Sequence, residues 1–499
     1  MSDSSQRIAG LSAAKLALLS RRLGAGKGGA VAAAAHIARR GWTEGAAPLS
    51  FAQQRLWFIE QYEPGNPAYN IPLALRLRGR LSVPTLERTL NEIVRRHETL
   101  RTTFGEQAGQ PEQLIAPAWP VSLPVADLSG MPEAEREREA EWLMSQEVGH
   151  RFNLSRGPLW RVKLVRLCDD EHLIGLTMHH IISDGWSMDV VVREFAALYT
   201  AFADGRPSPL GELPIQYADY AVWQREWLQG AALKEQTDYW RGHLAGAPPT
   251  LELPTDRPRS GSRSNRGATE YFSIPAEVGE KLRAVAQAHE ATTFMVLLAA
   301  YSVLLTRYSG QTEVSVGAPI ANRRRAELEG LIGFFVNTLV LRVKIEAGEG
   351  FGSLVERVRE VCLGAYAHQD VPFEKLVEEL QPERSLSHAP LFQVALVLQN
   401  VPRSSLDLQG LSLSQYQLKY ETAKFELSLV LGEGEGGITG ALMYLTDLFD
   451  ASTAARMVKN FQTLLRDITE NPDKKIEDLS MFDDEGSREL IRAFNDELE

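Results

Sequence analysis

LTMHHIISDGWSM, residues 176–188, holds two adjacent histidines, an Asp-Gly pair and the opening of a patterned helix. The residues before it are apolar enough for a strand over 172–179. After it, SMDVVVREFAALY carries helical spacing and predicts a helix over 187–203. Asp184-Gly185 between them is turn chemistry. Strand, turn and helix in succession are the grammar of an α/β fold. On a strand, neighbouring side chains point to opposite faces, so only one of His179 and His180 faces a given cleft. His180 then stands at the strand's end, near Asp184 and the first backbone N–H groups of a new helix. An imidazole there can act as a base at neutral pH. The plain alternative is one histidine packed in the core beside an ordinary turn.

The same alternation extends on both sides. Upstream, IPLALRLRG (71–79) reads as a strand and VPTLERTLNEIVRRHETL (83–100) as an amphipathic helix with Pro84 near its start. A further strand is expected at 158–168. A second tract begins near 265, with a strand at 269–273, a helix at 275–289 and a buried helix at 293–308. Strands follow at 312–317, 335–344, 391–399 and 438–445. Between the tracts, LELPTDRPRSGSRSNRG (251–267) reads as a linker. The expected organisation is an N-terminal lobe over 46–215, inter-lobe helices and linker over 216–267, and a C-terminal lobe over 268–480. A crevice between two such lobes is a common binding site. Residues 1–45 are expected to hold a short helix (11–23) on a flexible basic tether.

Composition narrows the class. With 44% hydrophobic and 24% charged residues among 499, the chain can bury a large core. A formal charge of −12 argues against a nucleic-acid binder. Residues 1–45 run against that trend, with seven basic residues facing only Asp3 and Glu44. Cys168 and Cys362 form no disulfide framework and fit a reducing cytoplasm. The start, MSDSSQRIAG, has no secretory pattern, and the apolar run Phe294–Leu305 is short of the ~20 residues a membrane span needs. Adjacent histidines with one Asp fit a zinc site badly. There is no GxSxG elbow, no Cys beside a His and no Walker lysine. A histidine with no nucleophile of its own suggests direct attack of one substrate on another.

At this point His179-His180-Ile181-Ile182-Ser183-Asp184-Gly185 resembles the HHxxxDG signature of nonribosomal peptide synthetase condensation domains. Further family motifs occur in the expected order: LSFAQQRLW (49–57), RHETLRTTF (96–104), YADYAVW (217–223), IGFFVNT (332–338) and HQDVPFE (368–374). RSLSHAPL (384–391) has only part of a seventh. The match covers about residues 48–470. It implies an α/β fold of two chloramphenicol-acetyltransferase-like lobes arranged as a V, with the site in a central tunnel. Such domains join a donor acyl thioester, carried on phosphopantetheine, to the amine of an acceptor aminoacyl thioester. No intrinsically bound cofactor or metal is implied.

By the family pattern His180 is catalytic, supported by His179, Asp184, Gly185, Asn337 and Thr338. The equivalent Asp pairs with an arginine, for which Arg101 and Arg323 are the candidates. His97, Gln53, Arg55 and Trp57 read as architectural, as do His368, Asp370, Tyr220 and Trp223. The intact Asn337-Thr338 favours condensation over epimerisation, and His179 argues against a cyclisation domain. The SDGWSM continuation looks most like domains taking an L-configured donor.

The expected partners are carrier-protein domains, acyl-CoA as a possible donor, and a downstream adenylation domain, toward which residues 481–499 resemble a linker. If residue 1 is the native start, the domain is either a starter N-acylating the first amino acid or the head of a later subunit. In the second case the basic helix docks the preceding protein. A partner-recruiting domain of the same fold without catalysis is the alternative function.

Overall fold

The computed structural model describes residues 36–42, 45–259, 264–381, 389–399, 407–408, 410–418, 422–434 and 436–482. The helix expected at 11–23, residues 384–388 of the partial seventh motif and residues 483–499 lie outside the described residues.

The first half holds β1 (Gly45–Pro48), α1 (Phe51–Tyr62), β2 (Asn70–Gly79), α2 (Val83–Arg96), β3 (Thr102–Gln107), β4 (Gln110–Ile115) and β5 (Val125–Asp127). It continues with α3 (Glu133–Val148), β6 (Trp160–Cys168), β7 (Glu171–His179) and α4 (Gly185–Ala203). Helices α5 (Tyr217–Trp227) and α6 (Gly230–Leu244) lead into the second half. There follow β8 (Gly267–Pro275), α7 (Ala276–Ala288), α8 (Thr293–Ser309), β9 (Glu313–Ile320), β10 (Asn337–Lys344), α9 (Phe351–Ala367) and α10 (Phe373–Leu380). The chain then forms β11 (Val394–Gln399), β12 (Asp407–Leu408), β13 (Leu411–Gln415), β14 (Leu427–Gly434), β15 (Gly437–Leu445) and α11 (Ala451–Glu470).

Two six-stranded sheets organise these elements, in the orders β12-β13-β2-β7-β6-β5 and β10-β9-β11-β14-β15-β8, with a small β1-β4-β3 sheet beside the first. The second sheet is mixed: β11 runs parallel to β9 and β14, while β14, β15 and β8 alternate. Helix α8 fills the second lobe's centre, every residue from Met295 to Thr306 being buried, as its unbroken apolar run requires. Among the described residues no single helix is long and apolar enough to cross a membrane.

The expectation that 268–480 forms one C-terminal lobe needs a correction. Strands β12 and β13 leave that lobe and extend the N-terminal sheet, Leu411 pairing with Gly79 and Gln415 with Leu75. The reason is edge protection: β13 covers the otherwise open edge of β2, while Leu411 and Leu413 sink into the N-terminal core. The helix expected over 83–100 also ends early, at Arg96. His97 turns out of helical geometry, and its buried ring is held by Glu194 Oε2 at 3.0 Å and by the Ile332 N–H.

The flexible tether expected over residues 1–45 also needs a correction at its end. Residues 36–42 form a strap across the joint between the lobes, because Ile37 and Arg40 find apolar and acidic partners there. Ile37 is fully buried with Ile215 and Tyr217 ahead of and within α5, and with Leu328 and Phe335 from the second lobe. Arg40 pairs with Asp219 at 2.8 Å and with Glu98. An aliphatic side chain so enclosed leaves a cavity when truncated, so Ile37→Ala is expected to destabilise the fold by about 3 kcal/mol. Denaturant unfolding reads this directly, and an unchanged midpoint would show the strap to be peripheral.

Candidate active site

Helix α1 starts with a reciprocal cap in which Ser50 accepts from the Gln53 N–H and the Gln53 side chain accepts from the Ser50 N–H. The cap fixes the buried Gln53 amide, whose Nε2 donates to the Ile181 carbonyl at 3.2 Å and to Gln113 at 3.3 Å. Gln53 thereby holds the single 3₁₀ turn His180–Ile182 that follows β7.

The two histidines separate, though β7 ends at His179 and the 3₁₀ turn, not strand alternation, sets the direction of His180. His179 is buried between the rings of Tyr69 and Phe152, and its Nδ1 accepts from the Ile181 N–H at 3.1 Å. His180 faces the joint between the lobes, its ring 4.7 Å from that of Phe334. Its Nδ1 lies 2.9 Å from the Ser183 carbonyl, which can only accept. The proton of a neutral His180 therefore sits on Nδ1, and Nε2 presents a lone pair. Burial, reinforced by the Lys424 ammonium, pushes His179 down to about 3 and His180 well below the usual imidazole range. Both rings are neutral at pH 7.

Asp184 caps α4 and is fully buried. Its Oδ1 accepts from the Ser187 N–H at 2.8 Å, the Ser187 hydroxyl at 2.7 Å and Arg323 Nη2 at 3.0 Å, while Oδ2 accepts from the Phe335 N–H at 3.0 Å. Arg323 also donates to the carbonyls of Leu328 and Leu331, both at 2.6 Å. The Gly333 N–H donates to the Ser187 hydroxyl at 3.0 Å. A Cβ added at Gly333 would stand 2.0 Å from the Tyr217 ring, so only glycine lets this backbone approach. Arg101, the other arginine considered, is engaged elsewhere: it donates to the Ala116 carbonyl and lies 3.8 Å from Glu98. Arg323, and not Arg101, is thus the partner of Asp184.

Asn337 spends its side chain on architecture. Its Nδ2 donates to the carbonyls of Gln369 (2.9 Å) and Val371 (2.8 Å), and its Oδ1 accepts from the N–H groups of Thr338 (2.8 Å) and Phe373 (2.9 Å). It shapes the turn that starts α10 and sets Glu374 3.0 Å from Arg55 across the joint. Thr338 shows a backbone role only. Gly185 is exposed, and nothing lies within 4 Å of a Cβ built on it.

A family profile described as "Condensation domain" matches residues 43–491. This chain belongs to the condensation-domain family. It is 45% identical over 451 residues to a linear gramicidin synthase chain of Brevibacillus parabrevis, covering 90% of this chain and 6% of that protein. It is 42% identical over 474 residues to phosphinothricin tripeptide synthetase PhsC of Streptomyces viridochromogenes, covering 95% and 43% respectively. The condensation domain therefore spans less than half of either relative. Its fold matches the X-domain in the complex of the X-domain and OxyB from teicoplanin biosynthesis, at a TM-score of 0.81 and 32% identity, over 92% of this chain and all of that one. Its two lobes are chloramphenicol-acetyltransferase-like, and nonribosomal peptide synthetase condensation domains use substrates carried on phosphopantetheine.

Sequence reasoning about the condensation domain missed two features of the site. Arg55 reads there as fixing its own lobe, whereas it pairs with Glu374 from the other. Lys424 passed unremarked because a single lysine in ETAKFEL carries no local signal.

Removing one member of a buried ion pair strands the other. Asp184→Asn and Arg323→Met are each expected to destabilise the fold by about 3 kcal/mol, and the double variant by less than their sum. A well-folded but slow Asp184→Asn variant would refute this role. His179 adds a pH dependence. The unfolded chain takes up a proton near 6.5, but folded His179 resists until about 3. Its stabilisation is thus complete above pH 6.5 and is lost as pH falls, by about 1.4 kcal/mol per pH unit. Unfolding free energies between pH 7 and 4 should fall less steeply in His179→Gln.

Proposed function

We propose that this condensation domain catalyses amide formation between a donor acyl or peptidyl thioester and the amine of a carrier-bound aminoacyl thioester. One observation carries the reading: His180 Nδ1 is committed to the Ser183 carbonyl, so Nε2 turns its lone pair toward the joint of the lobes. That lone pair accepts a hydrogen bond from the acceptor amine and aims the nitrogen at the donor carbonyl. The C–N bond forms, the C–S bond breaks, and the donor thiol departs with the proton that the amine gives up. An α-amine has a solution pKa of about 8 and a thioester is already activated, so orientation supplies much of the acceleration. The open space beside Gly185 leaves room for the carbonyl oxygen near the start of α4, where backbone N–H groups stabilise the developing oxyanion.

On this reading Asp184 and Arg323 hold the site's frame, Asn337 positions the facing turn, and the chain works in the cytoplasm beside carrier and adenylation domains. Two donors fit the chemistry. An acyl-CoA makes this a starter domain. A carrier-bound donor makes it an elongating, L-donor condensation domain.

A second reading is favoured by the likeness to the X-domain seen with OxyB. In it the fold recruits a partner and transfers nothing. The assay supplies an aminoacyl carrier protein with a panel of acyl-CoAs, then with acyl-loaded carrier, and follows the acceptor's intact mass. A gain of one acyl group is expected, reduced at least about 100-fold in His180→Ala. No gain with either donor would leave the recruiting role.

A further inference from the structure

Lys424 lies in the short approach to β14, between two neighbours anchored in the C-terminal core, Ala423 and Phe425. It turns the other way, toward the N-terminal lobe, with its Nζ 5.3 Å from the centre of the Tyr69 ring. Tyr69 in turn packs against His179. Tyr69 ahead of β2 faces Lys424 directly, with His179 packed against Tyr69 and His180 next to it in the chain. Both histidines feel the Lys424 charge, as Lys424 feels that of Arg55 from α1, which Glu374 from α10 pairs. Glu374 is taken by Arg55 at 3.0 Å, and Glu426, two residues along, is buried with Arg259 at 3.1 Å. No described carboxylate lies within ion-pair distance of Lys424. Lys424 is exposed, yet desolvation by the protein around its ammonium and the nearby Arg55 charge bring its pKa down to about 8. It therefore remains charged at neutral pH.

An unmatched cation beside a site where an amine must attack has a definite consequence. It opposes every further positive charge, whether imidazolium or ammonium. We propose that Lys424 is a positioning residue that acts through its charge, keeping His180 and the incoming acceptor amine both unprotonated so that the amine arrives as a nucleophile. This rests on the reading that His180 meets the acceptor amine. A unit charge several ångström away in a partly dry crevice moves such an equilibrium by about one pH unit. Because Lys424 disfavours the protonated forms, its removal shifts them toward higher pH.

The test compares the full chain with Lys424→Met and Lys424→Arg in the acyl-transfer assay from pH 6 to 9, alongside NMR titration of ring-labelled histidines in the free protein. In Lys424→Met the acid limb of the kcat profile, which reports the bound complex, should move up by about one pH unit, with transfer about tenfold lower at pH 6.5 and close to wild type at pH 9. His180 should titrate at higher pH in that variant, and Lys424→Arg should keep both wild-type curves. Unchanged limbs and histidine titrations in Lys424→Met would overturn the proposal. So would a loss confined to acidic donors at every pH, which would make Lys424 a side-chain recognition group instead. A wild-type protein that transfers nothing would sink the catalytic reading, while the histidine titrations would still decide what Lys424 does.

Discussion

The buried pair of Asp184 and Arg323 is the constraint on which the arrangement of the lobes depends. Both side chains are almost wholly removed from water. Such a pair is tolerable only when most of its remaining lone pairs and protons find partners, and here all do except the Arg323 Nε–H. The partners here come from three places: the first turn of α4 through Ser187, whose hydroxyl the Gly333 N–H holds in turn, the carbonyls of Leu328 and Leu331, and the N–H of Phe335. Satisfying one ion pair thus ties the helix after the HHxxxDG turn to the opposite lobe. It also sets Phe334, between Gly333 and Phe335, against the ring of His180. The aspartate need not touch substrate to matter, since it decides what stands opposite the histidine.

The rest of the joint follows the same polar logic. Each lobe has its own large apolar core, whereas the contacts between them are mostly directional: Arg55 with Glu374, the Thr99 hydroxyl with the Ile332 carbonyl at 3.1 Å, and the Trp186 indole with the Glu329 carbonyl at 2.9 Å. The apolar exceptions include the small cluster around Ile37 and Phe335, Ile332 and Phe334 packed into the N-terminal core, and the crossing strand β13. A seam of this kind holds two bodies in register at chosen points, whereas a wholly apolar seam would reward contact wherever it can be made, through dispersion and the hydrophobic effect.

What the sequence made legible, and what it hid, divides along the range of the interactions involved. Strand β7, helix α4 and helix α8 announce themselves through periodicity or an unbroken apolar run, because local spacing and burial agree there. Helix α3 hides: its EREREAE stretch is nearly all polar, and only Ala140, Met144 and Val148 supply an apolar buried stripe. Strand β13 hides for a different reason. LSLSQ alternates correctly, but its partner β2 lies more than 300 residues earlier, and nothing local names that edge. In the site, the adjacency of His179 and His180 implies that they part, although the 3₁₀ turn is what separates them. The family resemblance narrows the partner of Asp184 to two arginines, and only the fold separates them. Asn337 sits where its motif suggests but turns inward, because the 369–373 turn takes three of its four hydrogen bonds and the Thr338 N–H takes the fourth. Lys424 could not be read at all, since its meaning lies in what faces it.

The protonation of His180 bears on how such a site works. An imidazole held neutral by burial and by a neighbouring cation is a weak base: it gives up any proton it accepts. Its strength lies elsewhere. With Nδ1 fixed by the Ser183 carbonyl and the ring held against Phe334, the Nε2 lone pair has one direction and needs little reorganisation to meet an N–H. On the proposed reading, that suits a reaction whose nucleophile is nearly neutral in water and whose electrophile is already activated. What remains is to keep the amine unprotonated and pointed. A strongly basic histidine would hold a proton at neutral pH and lose its acceptor. The low basicity is therefore part of the machinery, and the turn clamped by Gln53 is what lets it be directed.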